Sequence, residues 1–407
     1  MKKQTRKRKK SPFQYFLKHM GQIFFVLLLI GVLVNFIAPD RSFSEKENRV
    51  LSSRPKASLS LLASGRYSSQ YETYVNDQFI FRDMWVEIKA NIDRLLGQTE
   101  KNGVYLGKDG YLIEDFTPPS METLDTLLTS IQGFSKRHPE IQQYALIAPN
   151  AVSIYKEKLP AFSPVEDQNI YLDYLKAGME SSNIDYIDIR PILNEHSDEH
   201  LYYRTDHHWT TQSAYYAYQE AAKVMRIDSG LYSYEQLTVT GTFQGTLSAK
   251  SGFRSNIKEK IDVFLPEEGT PASLIKYIDE QINSGSFYAT KQLEGRDKYA
   301  MFFNGNHPLI KIETPLKDNQ KVLLVLKDSY ANCLVPFLAP HYRTIIMVDP
   351  RYYYDNLEEL ITVEGVNEIL YLYNANTFFS DTSLELTLAE KTTMETISET
   401  STSTIQA

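Results

Sequence analysis

Asp206-His207-His208-Trp209 sets a carboxylate two residues before an imidazole, and Lys327-Asp328-Ser329-Tyr330 later offers a serine. A serine hydroxyl is a poor nucleophile until a base takes its proton, and the base needs a carboxylate to fix its tautomer. Brought together, the two segments would form a Ser-His-Asp triad for acyl transfer or deacylation. With i, i+2 spacing on an extended segment, Asp206 and His208 point to one face and His207 points away. Asp206 would hold the Nδ1 proton of His208, whose Nε2 would face Ser329. Trp209 would cover the pair and exclude water.

Other readings compete. A serine after a strand is often a plain helix N-cap, and Asp206 could cap a helix beside two surface histidines. Asp206, His207, His208 and His307 are metal-ligand types, but adjacent histidines usually diverge and no His-x-x-x-His or Cys pair supports them. No metal and no cofactor is therefore expected. Cys333, the single cysteine, follows Ser329 by one helical turn and reads as a packed apolar residue rather than a nucleophile. In Asn304-Gly305-Asn306-His307-Pro308, Asn306 is a candidate oxyanion donor or only a turn residue. Asn306, Tyr330 and Trp209 are the candidates for oxyanion or substrate binding. Arg343 and the cluster Arg351-Tyr352-Tyr353-Tyr354 fall near strand ends, where flat aromatic faces could stack on sugar rings.

These residues need elements to position them. Apolar strands are expected at 142–149, 184–189, 322–326, 344–348 and 368–373, separated by helices at 121–136, 167–182, 331–338 and 356–363. A further helix, capped by Thr210 or Thr211, would run from the histidine pair to about Met225. That alternation indicates a parallel sheet covered on both faces, with ligands at the carboxyl ends of its strands. Ser329 directly follows one such strand. Residues 230–306 read as an irregular insertion with short strands, and 103–113 as a β-hairpin turning at Lys108-Asp109-Gly110. Residues 67–96 carry apolar side chains at helical spacing, broken near Phe79-Ile80-Phe81, which suggests two helices near a membrane. The Ser/Thr/Glu-rich tail from 379 is expected to be disordered.

The start of the chain reads as an anchor. Residues 1–20 hold eight Lys or Arg and no acid, and residues 21–39 carry no charge at all. An apolar stretch of about 18 residues or more can cross the hydrocarbon layer, and basic flanks stay cytoplasmic. Val34-Asn35-Phe36-Ile37-Ala38-Pro39 has no clear signal-peptide cleavage pattern. Of 43 Lys and Arg, 35 follow the anchor and face 51 Asp and Glu, a formal charge of −16. That balance argues against nucleic acid as a partner. The expectation is a single-pass protein with its N-terminus cytoplasmic and its C-terminal domain outside.

The motifs together resemble a known family. Phe43-Ser44-Glu45-Lys46-Glu47-Asn48-Arg49, Gly103-Val104-Tyr105-Leu106-Gly107, Asp206-His207-His208-Trp209, Phe302-Phe303-Asn304-Gly305-Asn306-His307-Pro308 and Lys327-Asp328-Ser329-Tyr330-Ala331-Asn332 resemble the DHHW proteins of Gram-positive bacteria. That family is similar to the SGNH-hydrolase-like proteins that O-acetylate alginate. The resemblance implies a flavodoxin-like SGNH core over residues 116–378, behind a membrane-proximal segment at 40–115. It matches Asp206 to the acid, His208 to the base and Ser329 to the nucleophile. His207 stands where the alginate group has Thr, so it should not be catalytic. It further implies an O-acetyltransferase or acetylesterase acting on an envelope or secreted glycan, with an MBOAT-type membrane acyltransferase as partner. No carbohydrate-binding module follows the core, and nothing identifies the sugar. The rival is a non-catalytic envelope scaffold that retains the fold.

Overall fold

The computed structural model describes residues 12–44, 49–253, 257–267, 269 and 272–389. The basic run at 6–10 and Glu45-Lys46-Glu47-Asn48 lie outside the described residues. The chain divides into two compact units, Met1–Leu96 and Gly97–Ala407. The hairpin at 100–114 therefore falls in the second unit.

In the first unit Pro12–Ile37 is one helix of 26 residues, of which Tyr15–Ile37 is long and apolar enough to cross a membrane. Helices Arg66–Gln78 and Arg82–Leu95 follow. Between them Phe81 adopts a left-handed φ of 52°, which turns the chain where the sequence pattern breaks.

The second unit is built on an eight-stranded sheet. Its elements in chain order begin with helix α1 (Met121–Arg137), strand β1 (Gln142–Ala148), helix α2 (Gln168–Glu180), strand β2 (Ile184–Tyr186) and helix α3 (Thr211–Met225). Strands β3 (Leu274–Tyr277), β4 (Ile282–Ser284), β5 (Leu309–Glu313) and β6 (Val322–Lys327) follow. Helix α4 (Ala331–Leu338), strand β7 (Thr344–Val348), helix α5 (Leu357–Glu364) and strand β8 (Glu368–Asn374) complete the sheet. The spatial order is β4-β3-β5-β7-β6-β8-β1-β2. Strands β7, β6, β8, β1 and β2 are mutually parallel. Every residue of β6, β7 and β8 is buried, as expected of apolar runs covered on both faces.

The sheet is mixed rather than wholly parallel. Strands β3, β4 and β5 join antiparallel at one edge. The short link from β3 to β4 accounts for their own pairing: a parallel pair needs a crossover of roughly a dozen residues, which residues 278–281 cannot provide. The stretch read as irregular also holds a long hairpin, Tyr234–Phe243 against Glu259–Pro266, with two register shifts. The expected tail begins later than 379. Phe378 and Phe379 are buried, and helix Ser383–Leu388 packs Leu384 and Leu388 into the core. Two sparse apolar pairs suffice there, whereas residues 390–407 lie outside the described residues.

The chain leaves β6 for α4 and β7 on one side, then returns through α5 to β8 on the other. A crevice opens where an open α/β sheet reverses its winding in this way, at the carboxyl end of the strand. Ser329 sits at that end.

Candidate active site

Ser329 is fixed by the turn that leaves β6. The Asp328 carboxylate accepts the Tyr330 N–H at 2.8 Å and, from the end of β8, the Asn374 N–H at 2.9 Å and Nδ2 at 2.6 Å. Burial pushes the Asp328 carboxyl up to about 6. Asp328 thus pins the turn to the neighbouring strand and is not directed at the serine. Among the described residues, nothing accepts the Ser329 backbone N–H.

The second segment lies between Tyr202 and Trp209, which form an isolated antiparallel bridge. His208 Nε2 is 2.7 Å from Ser329 Oγ, and His208 Nδ1 is 2.5 Å from Asp206 Oδ1. Asp206, His208 and Ser329 are all buried. Burial alone would raise the Asp206 carboxyl, but the His208 and His207 imidazoles and the Thr246 N–H hold it well below the usual carboxylate range. Burial and the nearby His207 push the His208 imidazole down to about 4, against the raising pull of Asp206. A neutral imidazole with Nδ1–H directed at an ionised carboxylate leaves Nε2 as the acceptor for the serine proton.

The segment is bent, not extended. Asp206 Oδ1 also accepts the His208 backbone N–H at 3.0 Å, an Asx-type turn that curls the chain. His207 consequently does not point away as the spacing suggests. Its ring centroid lies 3.9 Å from that of His208, and its Nδ1 is 3.0 Å from Thr246 Oγ1.

Four residues outside the two motifs complete the site. Thr246 donates its N–H at 2.8 Å and its hydroxyl at 3.0 Å to Asp206 Oδ2. Beside it Gly245 approaches so closely that a Cβ would lie 2.1 Å from Asp206 Cβ. Glu259, buried in the long hairpin, accepts the backbone N–H groups of Arg204 and Thr205 and the Thr205 hydroxyl at 2.7, 3.0 and 2.9 Å. It clamps the approach to Asp206. Tyr299 stacks on His208, with centroids 3.7 Å apart and planes 13° from parallel. Only the carboxylate of Glu259, an acid at an inward position between Lys258 and Lys260, leaves a trace in the sequence; the others become visible through the fold.

Asn306 is exposed beside the turn. Its Oδ1 accepts from Lys327 Nζ at 2.9 Å and Asn332 Nδ2 at 3.2 Å, and among the described residues its own Nδ2 has no acceptor. Lys327 is fully buried, with Asn332 Oδ1 at 3.1 Å and Asp349 Oδ2 at 3.6 Å. Arg351 also grips Asp349. Tyr330 and Trp209 are completely buried and do not line a binding surface. Trp209 Nε1 donates to the Tyr330 carbonyl at 3.1 Å and the Tyr330 hydroxyl donates to the His207 carbonyl at 2.5 Å, so the pair ties the histidine segment to the serine turn. Of the aromatic cluster, Tyr352 and Tyr354 are exposed and Tyr353 is buried. Arg343 reaches Gln320.

The potential metal donors of Asp206, His207 and His208 lie within 4.8 Å of one another. Both ring nitrogens of His208 are already engaged, by Asp206 and Ser329. His307 is elsewhere, held by Glu280 and the Phe303 carbonyl. The arrangement suits proton transfer between Ser329 and His208. Cys333 is buried, its thiol pushed up to about 12 by burial, and it accepts the Tyr299 hydroxyl at 3.2 Å. It is not poised to react.

The sequence model of the DHHW protein family matches residues 134–348, more than half of the chain and spanning the histidine pair and Ser329. The chain belongs to the DHHW protein family. A DHHW protein of Eubacterium siraeum has a similar fold, with a TM-score of 0.60 and 20% identity over 72% of this chain and 98% of that one. Bacillus cereus PatB1, solved with a sulfonyl adduct, superposes with a TM-score of 0.57 at 19% identity over 70% of this chain and 98% of its own. In sequence the chain is 27% identical over 185 residues to the probable alginate O-acetylase AlgJ of Pseudomonas fluorescens, covering 43% of this chain and 47% of AlgJ. This DHHW protein thus spans about half the length of the AlgJ relatives it matches.

Proposed function

We propose that the protein is an O-acetyltransferase of the cell envelope, working through an acetyl-Ser329 intermediate on a glycan acceptor. The observation that carries this reading is the chain of hydrogen bonds Asp206–His208–Ser329, with 2.7 Å between base and nucleophile. That separation lies within the reach a general base needs. The sequence relationship to AlgJ, by its name an O-acetylase, supports acetyl as the group and polysaccharide as the acceptor class. The five parallel strands with Ser329 at their carboxyl edge suit a flavodoxin-like SGNH core.

In the first half-reaction Ser329 Oγ attacks the acetyl carbonyl while His208 Nε2 takes the hydroxyl proton. The carbonyl oxygen becomes an oxyanion, for which the free Ser329 N–H and Asn306 Nδ2 are the donors. The tetrahedral species collapses, and the leaving group departs with the proton from His208. In the second half a sugar hydroxyl gives its proton to His208 as its oxygen attacks the acetyl carbon. Ser329 Oγ then leaves and recovers that proton. Asp206 keeps the imidazole in the required tautomer throughout and stabilises the transient imidazolium. Water replacing the sugar makes the same site an esterase.

Helix Pro12–Ile37 serves as a membrane anchor with the second unit outside, and an MBOAT-type membrane acyltransferase is the expected source of acetyl. To test the transfer, ester consumption is followed with an activated acetyl ester, with and without oligosaccharides from envelope glycans. The reading expects acetylated sugar whose formation competes with free acetate and requires Ser329. If acetate alone appears with every acceptor, the protein is an esterase.

A further inference from the structure

The helix Arg82–Leu95 carries an apolar row that stays exposed among the described residues of the first unit. Met84, Trp85, Ile88 and Ile92 are exposed, Trp85 by 52%. At about 100° per residue these four positions span only about 100° of the helix circumference. Leu96, just after the helix, is exposed by 81% and extends the same row, and Phe81 at the turn before it is exposed by 68%. A soluble helix buries such a stripe, because large apolar side chains left in water forgo the free energy of burial.

What covers it follows from where the helix begins. The Ile80 N–H donates to Asn35 Oδ1 at 2.8 Å. Asn35 lies two residues before the end of helix Pro12–Ile37. It is also twenty residues beyond Tyr15, where the apolar span starts. Twenty residues at 1.5 Å each make about 30 Å, the thickness of the hydrocarbon layer. The bond therefore sets Ile80, and the start of the next helix, at the far boundary of that layer. The Gln78 amide adds two contacts just outside, receiving the Arg41 N–H and donating to the Arg41 carbonyl, each at 2.8 Å.

The geometry points to an interfacial helix: Arg82–Leu95 lies along the outer leaflet with Met84, Trp85, Ile88 and Ile92 in the boundary between headgroups and acyl chains. Tryptophan favours that layer, and amphipathic helices bury their apolar face about 5–10 Å into it. Lys89, exposed on the flank of the row, suits a side chain that keeps its ammonium among lipid phosphates. The consequence is a second attachment of the first unit to the membrane. The inference rests on the membrane-spanning reading of Pro12–Ile37.

The two tryptophans allow a direct test. Trp209 is fully buried, so Trp85 alone can report a lipid contact. The full chain is reconstituted into phosphatidylcholine vesicles whose acyl chains carry bromine near the headgroup end. The expected result is loss of most Trp85 emission in brominated vesicles, and emission insensitive to bromine in a Trp85→Phe variant. Emission untouched by bromine but quenched by aqueous iodide would put the helix in water and overturn the inference. Protection from both reagents would mean a protein cover and would overturn it equally. Extraction of the chain by alkaline carbonate would instead refute the membrane anchor, and this inference with it.

Discussion

The Lys327 ammonium and the Asn306 side chain are bonded at 2.9 Å, and that contact decides which way the amide faces. Lysine has only donors, so Asn306 must turn its oxygen inward and present Nδ2 outward. In the proposed mechanism Lys327 acts through Asn306 as a positioning residue for the oxyanion site. Lys327→Met should lower the acylation rate by about 10–100-fold with little change in KM, because the donor matters only once the oxyanion forms. Asp349 keeps Arg351 as partner in that variant. Asn306→Ala should cost about 10²–10³-fold. Steady-state kinetics of the double variant should show no further loss; full additivity would separate the two residues.

A Cβ on Gly245 would meet Asp206 Cβ at 2.1 Å and Oδ2 at 2.3 Å. Gly245→Ala must displace the carboxylate that orients His208. A loss of about 10²–10⁴-fold in kcat is expected, approaching the cost of a wrongly held imidazole in such a triad. Thermal unfolding measured alongside should move by only a few degrees. An unchanged rate would mean that Asp206 is dispensable.

The base must be neutral to accept the serine proton. Burial lowers the His208 pKa to about 4, so activity should be level above about pH 6 and fall as pH drops through His208's pKa. His207 contributes to that lowering, so His207→Gln should shift the acidic limb of kcat/KM towards higher pH. A limb unaffected by this substitution would show that the two rings do not interact as their 3.9 Å separation implies.

The contact of Asp206, His208 and Ser329 was legible because half of it is local. Asp206 and His208 sit two residues apart, and Ser329 follows an unmistakably apolar strand, so residue type and element order together indicated the pairing. Helix α3 starts after Thr210, whose hydroxyl accepts the Ser213 N–H as a capping residue should. What escaped depends on long-range contacts. Thr246 and Gly245 reach Asp206 from some forty residues away, and Glu259 and Tyr299 arrive from a stretch with weak alternation and several glycines. The direction of His207 was misjudged because a side-chain bond to the backbone curls the segment, which no period-two rule captures. Trp209 and Tyr330 sit where substrate contact was anticipated, but both are spent on joining the histidine segment to the serine turn. The antiparallel pairing of β3 with β4 follows from the four-residue link between them, and both strands are too short to register as a pattern.

Acetylation of Ser329 is the step on which the mechanism stands, and intact-mass analysis of the full chain after exposure to an activated acetyl ester detects it. One added acetyl group is expected on the wild type, mapped to the peptide containing Ser329, and none on Ser329→Ala with its fold intact. Equal labelling of both proteins, or a wild type that stays unlabelled while ester remains, would contradict it.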